Sequence, residues 1–348
     1  MSLLRETVSK IGELDRDAME KCKERLDSLT KPPGSLGVLE DLAIKLAGIR
    51  EQVLNQVDKR SVLVMAGDHG VVAEGVSAFP QEVTPQMVLN FLNGGAAINV
   101  LSHHAGANVK VADIGVASDM NYPQLINKKV RRGTDNMAKG PAMTRDEAIK
   151  AIEAGIEIAE AEIKAGVNLL ATGEMGIGNT TASSAILVGS GLELDVVVGR
   201  GTGLNDEGLE RKRQAIKRAI EINQPDPQDG LDILHKVGGL EIGAIIGVIL
   251  AAAANRIPVI IDGFIAGAAA VIAARIEPKS LDYIIPSHSS AEPGHARALN
   301  SLGLRPYLEL DMRLGEGTGA VLAMHLVEAS CKIVSEMATF ADAGVSRA

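Results

Sequence analysis

Tryptophan is absent from this 348-residue chain, and four Phe and three Tyr are its only other large aromatic residues. Its core must therefore be built from Ala, Val, Ile and Leu, a mix that suits tightly packed helices and parallel strands better than a β-sandwich. The same scarcity leaves few rings on which nucleic-acid bases can stack. With a net charge of −9 there is no dominant basic face, so nucleic acid is not an expected partner. The basic run Lys128, Lys129, Arg131, Arg132 reads as a solvated loop or helix face. Two cysteines, Cys22 and Cys331, are too few for a disulfide framework and read as free thiols of a reducing compartment. No apolar run reaches the ~20 residues of a membrane span. The most apolar stretch, 242–254, is ended by Asn255 and Arg256 and reads as a buried helix. The N-terminal segment carries charges throughout and has no apolar signal core. These absences together predict a cytoplasmic protein without a membrane partner.

Several chemical signatures are missing too. Gly70 to Gly75 has the spacing of a phosphate-binding P-loop but lacks its Lys, and no G-x-G-x-x-G follows the first apolar run. There is no G-x-S-x-G elbow. His69, His103, His104, His288 and His295 do not have zinc spacing. Asp68 with His69 reads either as metal ligands or as a hydrogen-bonded pair at a strand end. Neither a cofactor nor a metal is expected.

What is present is alternation. Short, near-continuous apolar runs at 62–66, 109–114, 167–172, 258–262, 283–286 and 307–311 read as parallel strands covered on both faces. The run 196–198 reads as a short strand or an apolar loop. Between the runs lie helical periodicities, such as Leu39, Leu42, Leu46, Ile49 and Val53, or Ile149, Ile152, Ile156 and Ala159. This predicts an α/β fold: a doubly wound, mostly parallel sheet with helices on both faces. Helical segments at the two termini flank it and read as a small helical domain. The expected boundaries are 31–318 for the large domain, with 1–30 and 319–348 forming the small one.

Ligands of such sheets bind outside the carboxyl ends of the strands, and the unusual residues gather there. The successive run ends carry Gly67-Asp68-His69-Gly70, Gly173-Glu174-Met175-Gly176-Ile177-Gly178-Asn179-Thr180-Thr181, Asp262-Gly263-Phe264, Ser287-His288-Ser289-Ser290, and Arg313-Leu314-Gly315-Glu316-Gly317-Thr318-Gly319. One cleft lined by several loops is the expectation. The loop 173–181 suits a phosphate at a helix N-terminus, or is simply an N-cap and a tight turn. A second phosphate candidate is Gly199-Arg200-Gly201-Thr202-Gly203, with Lys212 on the following helix either as a point charge or as a solvated lysine. Glu174 and Glu316 are the candidates for acid–base work. Glu316 also reads as a carboxylate complementing the dipole of the helix that begins near Thr318.

Six ordered motifs between about residues 30 and 330 carry a resemblance. They are Lys31-Pro32-Pro33-Gly34-Ser35-Leu36-Gly37, Ala66-Gly67-Asp68-His69-Gly70-Val71, Glu82-Val83-Thr84, Gly173-Glu174-Met175-Gly176 with Asn179-Thr180-Thr181, Pro286-Ser287-His288, and Arg313-Leu314-Gly315-Glu316-Gly317. The chain resembles the nicotinate-nucleotide:dimethylbenzimidazole phosphoribosyltransferase family. The resemblance implies a homodimeric enzyme that exchanges the nicotinate of nicotinate mononucleotide for 5,6-dimethylbenzimidazole or a related base. Its product would be α-ribazole 5′-phosphate, for the lower ligand of cobalamin. By the same resemblance Glu316 is the catalytic base and Glu174 lies close to the reacting centre. Gly176, Asn179, Thr180, Lys212 and Ser290 would contact phosphate, with Gly178 and Gly203 in the nucleotide-binding loops and Asp262 and Gly263 beside the nucleotide. Phe79, Gln86, Met87, Met175 and Leu314 would form the benzimidazole pocket. Gly178 and Ser289 depart from the Ala and Phe that some relatives carry at those positions, which bears on pocket shape. A nucleotide N-glycosidase and a non-catalytic nucleotide-binding protein are the alternative readings.

Overall fold

The structure is a computed structural model that describes residues 2–201 and 203–346. The apolar runs become the strands of one sheet because helices cover both of its faces. In chain order these are β1 (Arg60–Gly67), β2 (Ala107–Gly115), β3 (Ile126–Asn127), β4 (Leu169–Met175), β5 (Val259–Ile261) and β6 (Ile284–Pro286). All six run parallel in the spatial order β3-β2-β1-β4-β5-β6. Successive side chains of a strand point to opposite faces, and here each face meets its own apolar core. Leu63, Met65, Leu170, Val259 and Ile261 enter one core, with the helices Arg145–Lys164, Leu240–Ala254 and Phe264–Ile276. Val62, Val64, Ala66, Ala171 and Ile260 enter the other, with the helices Val38–Arg50, Val83–Leu92, Ala97–Ala105 and Thr318–Glu336. The doubly wound fold expected from strand–helix alternation is therefore the fold observed.

Close helix packing replaces the missing aromatics. A Cβ placed on Gly155 would lie 1.9 Å from the Ala244 carbonyl oxygen, and one on Gly247 would lie 2.0 Å from that of Ile152. The helices Arg145–Lys164 and Leu240–Ala254 thus touch backbone to backbone. Residues 240–253 of the second are all buried, as the apolar stretch predicted. No helix among the described residues is long and apolar enough to cross a membrane.

Of the two N-terminal helices, Leu3–Ser9 packs against Leu240–Ala254 and Arg145–Lys164, whereas Arg16–Ser28 packs against Val38–Arg50. Cys22, Leu26, Leu29, Ala43 and Ala47 gather with Val334 near the end of Thr318–Glu336. Both cysteines are buried free thiols, and burial pushes each up to about 11.

Four local expectations need correction. The run 307–311 does not join the main sheet. Only Leu308–Glu309 (β8) is extended, and it pairs in parallel with His288–Ser289 (β7) in a separate two-stranded sheet beyond β6. An apolar run declares extended backbone, not its partner. The run 196–198 is mostly helical, within Leu194–Val197. β4 continues past 172 to Met175, so Gly173 and Glu174 are strand residues paired with Val64 and Met65, not loop residues. Finally, the basic run is a loop in which Lys128 and Arg132 are exposed as expected, paired at the surface with Glu157 and Asp119, and Arg131 pairs with Asp135 and Glu147, but Lys129 lies mostly buried against the buried Asp113.

Candidate functional site

In a doubly wound sheet the strand order reverses at one point, and the crevice beyond the carboxyl ends there binds ligands. Here that point lies between β1 and β4. A cavity of about 340 Å³ opens there, lined among others by Phe79, Val83, Met87, Glu174, Met175 and Gly176. Asn179, Thr180, Gly201, Gly263, His288 and Ser290 continue the wall, and Glu292, Arg313, Leu314 and Glu316 complete it. The loops predicted from the strand ends do converge on one cleft, with the exception of Asp68-His69. Those two lie beneath it.

The Glu316 loop is held in an uncommon backbone conformation. Gly315, Glu316 and Gly317 have φ of 85°, 65° and 98°. For a non-glycine residue this left-handed region costs roughly 1–3 kcal/mol and persists only where surrounding contacts impose it. They do so here. A Cβ on Gly315 would lie 2.3 Å from Glu174 Oε1, and one on Gly173 would lie 2.3 Å from the Glu316 carbonyl oxygen. The two glutamate-bearing loops are thus pressed together, and the Glu316 backbone N–H donates to the Glu174 carboxyl.

Glu316 is 6% exposed, and its Oε2 accepts the Ile98 N–H at 3.3 Å, in the first turn of Ala97–Ala105. It does not complement the helix that follows it in sequence. That role belongs to Asp262, whose carboxylate accepts the N–H groups of Gly317, Gly319 and Ala320 at 3.2, 2.8 and 3.0 Å. Burial, and secondarily the Asp262 charge, hold the Glu316 carboxyl above its ordinary range against the Ile98 hydrogen bond. Burial lifts Glu174 further, to about 8, reinforced by Asp262, Glu241 and Glu316. Asn179 Nδ2 donates to Glu174 Oε2. The cavity therefore holds a carboxyl group raised to about 8, which a neighbouring cation would favour in its ionised form.

At the other end, Asn179 and Thr180 form the first turn of the helix Asn179–Gly189, where backbone N–H groups lack intrahelical partners. Gly178 precedes them with φ 97°. Its Cβ would lie 2.8 Å from Val72 Cγ2, so the loop is glycine for both conformation and space. Lys212 is not solvated. It is fully buried behind Thr180 and Gly201, with Nζ 3.0 Å from Thr180 Oγ1 and 3.1 Å from the Gly199 carbonyl oxygen. Burial pulls it down to about 8, opposed by Glu292. An ammonium has three N–H donors, and these contacts use two.

Eleven of the residues singled out from sequence line the cavity: Phe79, Met87, Glu174, Met175, Gly176, Asn179, Thr180, Gly263, Ser290, Leu314 and Glu316. Gln86 is exposed on the same helix as Met87, Gly178 and Lys212 lie behind the wall, and Asp262 lies beneath it. Gly203 is exposed; Thr202 of the same loop lies outside the described residues. His69 pairs with Glu241, not Asp68, at 2.7 Å, while Asp68 accepts the Ala117 N–H at 2.8 Å. Among the described residues no group of three or more His, Cys, Asp or Glu converges as a metal site. Sequence reasoning missed Glu292, Arg313 and Val83 as lining residues and left His288 without a role. Arg313, Val83 and His288 stood inside quoted motifs. Glu292 carried no local signal.

The cavity thus joins an anion-suited end to a carboxylate pair and an apolar mouth of Phe79, Val83, Met87 and Leu314. A family model described as phosphoribosyltransferase (DBI_PRT) matches residues 11–345. The nicotinate-nucleotide--dimethylbenzimidazole phosphoribosyltransferase of Desulforamulus reducens is 57% identical, with both chains fully covered. The Chloroflexus aggregans protein of the same name is 58% identical over 99% of each chain. A crystal structure of the enzyme so named from Thermus thermophilus superimposes with a TM-score of 0.91 at 48% identity, covering 96% of this chain and 100% of that one.

Proposed function

The chain belongs to the nicotinate-nucleotide:dimethylbenzimidazole phosphoribosyltransferase family, and from that membership we propose how its own residues carry out the exchange of nicotinate mononucleotide with a benzimidazole-type base. The nucleotide phosphate sits against Gly176, Asn179, Thr180 and Ser290, with the buried Lys212 behind them as a point charge. Its ribose crosses Gly263 toward Glu174. The incoming base enters between Phe79, Met87, Met175 and Leu314 with one ring N–H directed at Glu316.

The bond changes require little machinery. The unprotonated ring nitrogen of the base attacks C1′ from the face opposite nicotinate and forms the new C–N bond. The C1′–N bond to the pyridinium breaks, and its electron pair neutralises the departing ring, so the leaving group needs no general acid. Positive charge grows on the sugar, where an ionised Glu174 stabilises it electrostatically. The new nucleotide would retain a surplus proton on the second ring nitrogen of the base. Glu316 takes it, as a general base within hydrogen-bond reach. Anchoring the phosphate away from the reacting carbon holds the sugar in line for attack.

The observation that carries this reading is the position of Glu316: a buried carboxylate, raised toward neutrality, lining the same cavity as the glycine loop and Thr180. Chromatography of nicotinate mononucleotide incubated with and without 5,6-dimethylbenzimidazole tests it. Nicotinate release should depend on the base and be matched by α-ribazole 5′-phosphate. Equal release without the base, with free ribose 5-phosphate, marks water as the acceptor and overturns the proposal in favour of an N-glycosidase. The working unit proposed is a cytoplasmic homodimer; sedimentation at twice the chain's mass is the expected result.

A further inference from the structure

We infer that His288 is a sugar-binding residue of this site, accepting a hydrogen bond from a ribose hydroxyl of the nucleotide through Nε2. The inference rests on the nucleotide reading above. His288 is 2% exposed, yet it lines the cavity between Gly263 and Ser290. Its ring is clamped on one edge. A Cβ on Gly319 would lie 1.9 Å from Nδ1, and Ser287 Oγ lies 3.0 Å from the same atom.

That clamp sets the tautomer. Ser287 has a single hydroxyl hydrogen, and the Asp262 carbonyl oxygen, 3.2 Å from Ser287 Oγ, can only accept it. The two contacts of Ser287 are met together only if His288 Nδ1 carries a hydrogen and donates to Ser287. In the neutral ring Nε2 then presents a lone pair. Nε2 has no hydrogen-bond partner among the described residues. It faces the gap at Gly263, whose absent Cβ would stand 3.7 Å from it.

The neighbouring His295 has the opposite arrangement. Its Nδ1 accepts the Ser290 N–H at 3.0 Å, and burial pulls it down to about 3. It is a neutral strut that fixes the Ser290 end of the wall. His288 is therefore the buried imidazole whose free acceptor meets the cavity. It lines the cavity beside Gly263 and Ser290, with Gly319, three residues after Glu316, against its other edge. A buried acceptor left unpaired is unfavourable, so a sugar hydroxyl donor fits the atom that the fold leaves open.

The test couples the residue to the hydroxyl. Nicotinate mononucleotide and its 2′-deoxy and 3′-deoxy analogues are assayed with 5,6-dimethylbenzimidazole against the wild-type protein, His288→Phe and His288→Asn. Asn can replace the Nδ1 donor toward Ser287 but ends short of the cavity, so it separates a structural role from the acceptor. The wild type should lose roughly tenfold in kcat/KM on one deoxy analogue. Both variants should lose a similar factor on the ribonucleotide and little more on that analogue. The inference is overturned if either variant, folded by thermal melt, discriminates against the deoxy analogues as the wild type does. A wild type indifferent to both hydroxyls overturns it equally. A wild type with no base exchange on any nucleotide sinks the functional reading instead.

Discussion

The Oε2 atom of Glu316 accepts the backbone N–H of Ile98, 218 residues away, at 3.3 Å. The carboxylate is thereby aimed by a helix N-terminus that it neither precedes nor follows in sequence. One oxygen is used in orientation and the other remains for a proton. Because burial outweighs the Ile98 contact, the group sits above the ordinary carboxylate range. This brings it closer to the pH at which a general base works best.

Glu316→Gln should preserve the Ile98 hydrogen bond through its amide oxygen while removing the proton acceptor. Turnover at saturation is expected to fall by ~10²–10⁴-fold, with nucleotide affinity little changed. Steady-state kinetics combined with calorimetric titration of the nucleotide checks this. A variant that turns over at the wild-type rate removes Glu316 from the chemistry.

The pH profile of kcat/KM reports the free enzyme, where Glu174 and Lys212 both titrate at about 8. Ionising Glu174 favours the cationic nucleotide, so the rate constant should rise with pH toward 8. Lys212 loses its charge above that value, so phosphate affinity and the rate constant should then fall. A narrow bell near pH 8 is expected. Glu174→Gln should move the acidic limb to lower pH, leaving the ionisation of Glu316, and Lys212→Met should remove the alkaline limb, with weaker nucleotide binding. An alkaline limb that survives in Lys212→Met would show that another group supplies the cation.

Glu174 also makes the folded protein sensitive to alkali. Its folded value of about 8 lies above the ordinary 4.5. Between those values the folded state holds a proton that the unfolded chain has lost, so stability declines as pH rises through that window. Glu174→Gln should therefore stabilise the unliganded protein more at pH 8.5 than at pH 5, by as much as a few kcal/mol. Urea melts at the two pH values measure it. A pH-independent difference between variant and wild type contradicts the shifted carboxyl.

Gly155→Ala addresses the scaffold. The new methyl would meet the Ala244 carbonyl oxygen at 1.9 Å, and neither helix backbone can give way as a flexible side chain would. A loss of about 1–3 kcal/mol is expected, seen as a lower urea midpoint with unchanged slope. Stability equal to wild type would mean that the two helices do not pack in contact.

Much of this was legible along the chain. The strands of the central sheet announced themselves because parallel strands buried on both faces are apolar throughout, and Val62 to Ala66 or Tyr283 to Pro286 read that way. The glycine loops did so because close approach permits no Cβ at Gly173, Gly315 or Gly317. Two readings failed for one reason. The solvated alternative for Lys212 did not hold, and neither did the place of Leu308–Glu309 in the main sheet. Burial of the first and partnership of the second depend on segments distant in sequence. β3, two residues long, had too little periodicity to register.

Sequence alone determined the class of sheet, most of the loops that meet at the cavity and the family, since each is written in local composition and ordered motifs. Tertiary structure alone decided that Asp262 caps the helix after Glu316, that Glu316 turns to Ile98, and that Ser287 leaves one nitrogen of His288 facing the cavity. These are hydrogen bonds and desolvation, set by which atoms finally lie within about 3 Å of one another. Residue type and spacing restrict that choice, and the packed fold completes it.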